Sequence, residues 1–164
     1  MTDLLVVHEL GKLQDDERKL QRNPVSTVAW ARTKTVLRRL DGDRKGAILR
    51  FLTEAGLINK GRPVIGSLVG AHLRDAKLQG SVLRNTALQG VDLSGADMRG
   101  ADLRDADLTR ANLSGADLSG ATAITNEELE QQAASLKGAT MPNGQKYEDW
   151  LKDKKVQGKA EKNE

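Results

Sequence analysis

The chain has 164 residues, enough for one ordinary domain or a small domain with attachments, and a formal net charge of +3. It has no cysteine, which excludes disulfides and thiol chemistry, and its two histidines leave little material for a metal site. No apolar run is long enough to span a bilayer, and the first residues lack the basic start of a signal peptide. We therefore expect a cytoplasmic protein without a cofactor.

The first predicted element is a helical hairpin over 24–56, within an N-terminal helical region at 1–63. Pro24 suits the first turn of a helix. A second helix is expected from about Arg44, ending at Gly56, a residue type common just after helix ends. Its apolar face is predicted from helical spacing. The predicted members of this face are Ala47, Ile48, Phe51, Leu52 and Ala55.

The N-terminal region is the basic part of the chain, with a net charge of +5 over 1–63 against −1 over 64–122 and −1 over 123–164. A basic patch is the electrostatic footprint expected for phosphate, so an anionic partner, either nucleic acid or a lipid surface, is one hypothesis. The alternative is a solvated helical face with local ion pairs. Seven cations around the bend of the hairpin form the candidate patch: Arg32, Lys34, Arg38, Arg39, Arg44, Lys45 and Arg50.

From residue 64 the sequence repeats every five residues. An apolar residue occurs at each fifth position, and a small residue precedes it by two, as in the stretch GADLSGADMRGADLRDADLTRANLSGADLSGA. The apolar series, predicted to form the structural core, is Leu68, Leu73, Leu78, Leu83, Leu88, Leu93, Met98, Leu103, Leu108, Leu113 and Leu118.

Neither regular structure fits this period. In an α-helix each leucine would lie roughly 140° from the last, and in a flat strand successive leucines would point to opposite faces. A short extended triplet followed by a two-residue corner does fit, because four such sides close a square of 20 residues. We therefore predict a β-solenoid of about three to four stacked coils at 64–124.

The corners support this prediction. The second residue after each apolar position is Gly, Asn or Asp in ten of eleven units, and these types tolerate the positive φ of a type II turn. Arg110 is the exception, and we expect its corner to use a type I or irregular turn.

The C-terminal part, 125–151, is predicted to hold an inserted helix, a last half coil and a cap. Thr125 or Asn126 can cap the helix, and the repeat phase then resumes in shifted register. Tyr147 and Trp150 are expected to cover the open end of the stack. The charged tail at 152–164 is expected to be disordered.

The A(D/N)LxG units resemble those of pentapeptide repeat proteins, and that resemblance implies a right-handed quadrilateral β-helix. The flanks ARTKTVLRRLDGDRKGAILRFLTEAGLI and SLKGATMPNGQKYEDWLKDKK are similar to those of a bacterial subgroup of the family. Many members of that subgroup carry transmembrane helices upstream, and MTDLL resembles an internal segment of those chains. The resemblance therefore also allows a location at the inner face of the membrane.

The sequence is compatible with three functions, none of them enzymatic. The aspartates that precede each leucine are expected to point outward as solvated carboxylates, which do not gain the raised pKa of a buried acid catalyst. A DNA mimic that protects topoisomerases, as in some family members, needs a stronger negative field than this segment has. We favour a scaffold that binds an unidentified protein partner, as a monomer or end-to-end dimer, with no small-molecule substrate. Anionic binding by the basic patch is the alternative.

Overall fold

The computed structural model describes residues 24–59 and 68–160. Within these residues, none of the helices has the length and apolar character needed to cross a membrane. The described residues form two helices before the repeats and two after their regular part. They are α1 (Pro24–Leu37), α2 (Gly42–Glu54), α3 (Asn126–Gln132) and α4 (Tyr147–Ala160).

Parallel β-bridges join residues twenty apart through the repeats, so each coil contains twenty residues on four sides. Every side is one extended triplet, and its middle residue, which we call the outward residue, makes the bridge. The sides are too short for longer ladders, so the sheet consists of isolated bridges. One column joins His72, Asp92 and Asn112, and the next joins Lys77, Asp97 and Asp117. We call 69–88 the first coil and 89–108 the second.

The backbone pairing between coils follows one rule. Each outward residue bonds through both its N–H and its carbonyl group to the coil before it. Asp92 donates its N–H to the Ala71 carbonyl at 3.0 Å and accepts the Leu73 N–H at 2.8 Å. At the corner, Asp75 donates its N–H to the Ser94 carbonyl at 2.9 Å. Backbone hydrogen bonds thus hold the coils together at sides and corners alike.

The interior of the solenoid is filled by the apolar series. All eleven members, from Leu68 to Leu118, are at most 1% exposed. The small residues two positions before each member from Leu73 to Leu118 are also buried, and two of them are polar. The Thr86 hydroxyl donates to the Leu83 carbonyl at 2.6 Å, whereas the Ser81 hydroxyl has no hydrogen-bond partner among the described residues.

The corners have a positive φ at the second residue after each apolar position, closed in most cases by a hydrogen bond between residues three apart. The prediction for Arg110 was wrong, because its φ is 60°. Arg110 donates its N–H to the Gln132 carbonyl at 2.7 Å, and Ala111 donates to Leu108 at 2.8 Å. Bonds on both sides fix the corner, so the stacking overrides the preference of arginine for negative φ.

Helix α2 begins two residues earlier than predicted. Asp41 is its N-cap, and the carboxylate accepts the Arg44 N–H at 2.9 Å. At the other end Gly56 has a φ of 68°, with Leu57 N–H donating to Leu52 and Gly56 N–H to Thr53. These two hydrogen bonds form a Schellman motif, in which the residue after the helix has a positive φ and is usually glycine.

The predicted apolar face of α2 was partly wrong. Ala47 is exposed, and Ile48, Phe51 and Ala55 are only partly buried. Of the predicted face only Leu52 is fully buried, and the other buried positions of the helix are Lys45, Gly46 and Leu49. The reason is contact with the coil: glycines bring the helix close to the first coil, and this contact turns a different side of the helix inward.

The third coil begins at residue 109, and α3 occupies the place of its fourth side. A reciprocal pair of hydrogen bonds caps this helix. Thr125 accepts the Glu128 N–H at 3.1 Å, and the Glu128 carboxylate accepts the Thr125 N–H at 2.8 Å. The bridges then resume with an offset of 23, from Asn112 to Ser135 and from Asp117 to Thr140. Two further sides are therefore added in shifted register.

Helix α4 follows this last half coil. The prediction of a disordered tail was wrong for residues 152–160, which are part of this helix. Trp150 is 7% exposed and stacks on Tyr147 with ring centroids 6.1 Å apart. Lys154 lies over the Trp150 ring at 4.8 Å and pairs with Glu130 of α3. These contacts extend past Trp150, so the helix continues into the charged segment. Residues 161–164 lie outside the described part.

Candidate interaction surfaces

The outward residues of the second and third coils stabilise the corners by hydrogen bonds. Asp92, Asp97, Asp102, Asp107, Asn112 and Asp117 each accept, through a side-chain oxygen, the backbone N–H two residues further on. These are Asx turns, which only a short acid or amide side chain can form well. The Asp or Asn of each unit therefore prepares the turn that follows it.

The expectation of fully solvated carboxylates was wrong for at least two of these residues. The side chains of Asp97 and Asp102 are only 16% and 17% exposed, because arginines cover them. Arg99 donates from two nitrogens to Asp97 at 2.8 Å, and Arg84 of the first coil donates to Asp102 at 2.5 Å. The carboxylates point outward but are engaged within the chain.

These bonds lower carboxyl pKa values. The pKa of Asp97 lies below its ordinary value chiefly because Arg99 donates hydrogen bonds to it. The backbone N–H of Arg104 is the main cause of the lowered pKa of Asp102. Burial pushes the pKa of Asp92 upward, but hydrogen bonds from Ser94 and nearby positive charge outweigh it, so the pKa is lowered. A general acid at neutral pH needs the opposite shift.

Neighbouring outward residues in a column avoid repulsion in two ways. In one column Asn112 donates its amide to Asp92 at 3.1 Å. In the next, Asp97 and Asp117 are both acidic, and Arg99 lies between them, 2.8 Å from the first and 3.9 Å from the second. The coil surface is thus a locally neutralised array of fixed polar groups.

Three members of the basic patch bond to the edge of the first coil. Lys45, only 7% exposed, donates to the Arg74 carbonyl at 2.7 Å, and Arg50 donates to the Lys77 carbonyl at 2.9 Å. Lys34 donates to the Val69 carbonyl at 3.2 Å. One coil further on, the carbonyls equivalent to those of Arg74 and Lys77 accept backbone N–H groups of the coil before. Lys45 and Arg50 therefore take the place of the backbone donors that a preceding coil would supply.

The hairpin also supplies backbone groups to this edge. Gly42 accepts the Lys77 N–H at 2.9 Å, and Ile58 accepts the Ala87 N–H at 2.8 Å. Next to the second bond, Asn59 forms an antiparallel bridge with Thr86. Residues 24–59 thus form a cap on the first coil.

The other four members of the patch, Arg32, Arg38, Arg39 and Arg44, are exposed on the hairpin. Arg44 lies 3.7 Å from the Asp41 carboxylate, an exposed pair. The structure therefore divides the predicted patch into a set bonded to the coil and a set facing solvent. Within the described ranges, no group of three or more His, Cys, Asp or Glu residues could hold a metal ion.

The capping role of Lys34, Lys45 and Arg50 was missed from the sequence because it depends on which carbonyls the first coil leaves unpaired. One signal was available: α2 contains Gly42 and Gly46, which are unfavourable inside a helix. A Cβ at Gly42 would overlap the Asp75 carbonyl oxygen, and one at Gly46 that of Lys77. Two glycines on one helical face thus marked a close backbone contact.

Comparison with known proteins agrees with the repeat pattern. The family described as Pentapeptide repeats matches residues 67–105 and 87–122, with eight copies. No curated protein matches the chain. Among solved structures, a pentapeptide repeat protein of the Arabidopsis thaliana thylakoid lumen is 32% identical, over 45% of this chain and 53% of its own length. The TM-score is 0.20, too low to support any likeness of overall shape.

Proposed function

We propose that this chain, whose residues 67–122 are pentapeptide repeats, is a non-enzymatic scaffold that binds another protein through the surface of its solenoid. The observation behind the proposal is the internal use of the outward acids. Their oxygens hold the corners and pair with arginines, and the three lowered carboxyl pKa values oppose general acid catalysis. What the solenoid offers to other molecules is a rigid, patterned surface.

Rigidity favours this role. The outward side chains are held by Asx turns and by columns such as Asp92 with Asn112, and the backbone is bonded coil to coil. A partner that binds such a surface loses little further conformational freedom on the scaffold side. A cytoplasmic location in a bacterial cell is part of the proposal and can be tested by cell fractionation.

A second candidate function is binding of an anionic partner by the exposed cations of the hairpin. Arg32, Arg38 and Arg39 favour it, because they are exposed and are not among the cations that bond to the first coil. Phosphate groups of nucleic acid or lipid would suit them. DNA mimicry by the outward aspartates of the second coil has less support, since Arg84 pairs with Asp102 and Arg99 with Asp97.

The test is quantitative affinity capture with three forms of the full chain. The native chain and a variant with Arg32, Arg38 and Arg39 changed to Gln should capture the same protein. Leu103→Asp, which disrupts the solenoid core, should not. Capture that survives Leu103→Asp would contradict the scaffold proposal, and so would turnover of a substrate by the purified protein.

The second candidate has a different signature. Loss of the partner with the triple Gln variant alone, together with release by moderate salt, would assign binding to the hairpin. Analytical ultracentrifugation of the same samples distinguishes a monomer from the end-to-end dimer.

A further inference from the structure

The cap formed by residues 24–59 does not cover the whole edge of the first coil. On the side formed by 81–83, the N–H and the carbonyl of Val82 have no hydrogen-bond partner in the described ranges. The corner carbonyls of Gln79 and Arg84, on either side, likewise accept no hydrogen bond from described residues. One coil further on, the equivalent groups of Asp102 and Arg104 are all paired, for example the Asp102 carbonyl with Leu83 N–H at 2.9 Å. Among the described residues, one side of the solenoid therefore ends in an open β-edge.

The side chains at this edge are accessible. Val82 is 56% exposed, one of the few large apolar side chains of the described region with that much exposure. Lys77 and Arg84 are exposed as well, and residues 76–91 contain no acid. Asp102 of the second coil is bonded to Arg84 and offsets part of its charge, so Lys77 contributes most of the positive charge here. The edge thus combines unpaired backbone groups, an apolar contact and positive charge.

The adjacent side shows what this edge can accept. There the chain pairs its own residues 58–59 with 86–87, because the Ala87 N–H is bonded to the Ile58 carbonyl and Asn59 forms an antiparallel bridge with Thr86. This is backbone pairing of a short second segment with the coil edge. The side at Val82 is the preceding triplet of the same coil, and no described segment is bonded to its Val82 backbone.

We propose that this open edge binds an extended acidic segment of a partner protein, by β-strand addition over Val82. The partner would accept the Val82 N–H and donate to the carbonyls of Val82, Gln79 or Arg84, at the usual spacing of about 4.8 Å between strands. Its acidic side chains would face Lys77 and Arg84. The inference rests on the proposed scaffold function and names the site and partner chemistry for it.

The first test probes the edge itself. Amide hydrogen exchange of the full chain, followed by NMR, should be fast at Val82 and slow at Lys77 and Ala87, whose N–H groups are bonded. Slow exchange at Val82 would overturn the inference.

The second test uses a blocked seven-residue peptide that alternates valine and glutamate. It should shift the Val82 amide resonance while the Leu103 amide stays unchanged. Matched probes carry lysine in place of glutamate, or a methyl group on the central peptide nitrogens. Both should bind at least about tenfold more weakly. Equal binding of the N-methylated probe, or no shift with the acidic one, would overturn the inference.

Two protein variants complete the design. Val82→Pro removes an N–H that the described fold does not use, so it should fold with the native thermal midpoint and bind the peptide at least about tenfold more weakly. Arg84→Gln should weaken binding and reduce its salt dependence, a readout that stands if the proline variant fails to fold. A self-association of the native chain that Val82→Pro abolishes would overturn the inference by naming a second copy as occupant. If the captured partner binds Val82→Pro as well as native protein, the edge inference fails and the scaffold proposal stands.

Discussion

The residue two positions after each apolar residue has to adopt a positive φ, whatever its type. At Arg110 this conformation disfavours an L side chain by about 1–2 kcal/mol, partly offset by the smaller backbone freedom of arginine in the unfolded chain. We therefore expect Arg110→Gly to raise the free energy of unfolding by about 0.5–1 kcal/mol, measured by urea denaturation. Thr109→Gly, in the same turn but at negative φ, should lower it. If Arg110→Gly were less stable than the native chain, the contacts of the arginine side chain would stabilise the fold by more than its positive φ destabilises it.

Acid stability is a second residue-scale property, and Asp97 tests it. Its folded-state pKa lies below the ordinary value of 3.8, so it stabilises the fold at higher pH and this contribution is lost as pH falls through the folded pKa. Asp97→Asn should keep the Asx turn, because Asn112 forms the same turn with the Ser114 N–H at 3.1 Å. It should lose the ion pair with Arg99, because the asparagine amide is neutral. We expect the variant to be less stable at pH 7 and its stability to decline less between about pH 5 and 2. The expectation would be contradicted if urea titrations showed the same change of unfolding free energy with pH for the native chain and for Asp97→Asn.

At the scale of elements, the contact of α2 with the first coil depends on glycines. Alanine normally favours a helix by about 1 kcal/mol over glycine. Gly46→Ala should nevertheless destabilise the protein by about 1–3 kcal/mol, because its Cβ would overlap the Lys77 carbonyl oxygen. Faster amide exchange at Lys77 should accompany the loss, since that N–H is bonded to Gly42. Arg44→Ala, exposed on the same helix, should change stability by less than about 0.5 kcal/mol. A stabilised Gly46→Ala would mean that the helix is not held against the coil.

Elements differ in how far the sequence predicts them. The period of five is a local property, repeated many times, and it leads to the twenty-residue coil and to the inward position of residues such as Leu103. The capping box at Thr125 and Glu128 is equally local. The face of α2, the corner at Arg110 and the bonds of Lys45 depend instead on partners distant in the sequence. Their geometry is set by which backbone groups the stacked coils leave unpaired, and the sequence pattern does not record that.

At the scale of the whole molecule, the coils form a stack whose two ends are capped by different elements. The hairpin supplies cations and carbonyls to the first coil, while α3, the last half coil and α4 cover the other end with Trp150 and Tyr147. Covered ends hinder edge-to-edge association, which exposed strand edges invite. The side at Val82 is left open among the described groups, and its small size limits how strongly a second copy could stack there.

Cooperativity across this stack follows from the same contacts. Leu103→Asp places a carboxylate at a position that is 1% exposed, in the middle of the solenoid, and we expect it to lower the free energy of unfolding by more than about 4 kcal/mol. Because Lys45 and Arg50 bond to first-coil carbonyls, the hairpin should lose its helical circular dichroism in the same thermal transition. Thr122→Asp is the matched control, since it adds the same charge at an exposed outward position. A separate, later transition of the hairpin would contradict the dependence of the cap on the coil, and a native-like midpoint for Leu103→Asp would contradict the inward register of the repeat.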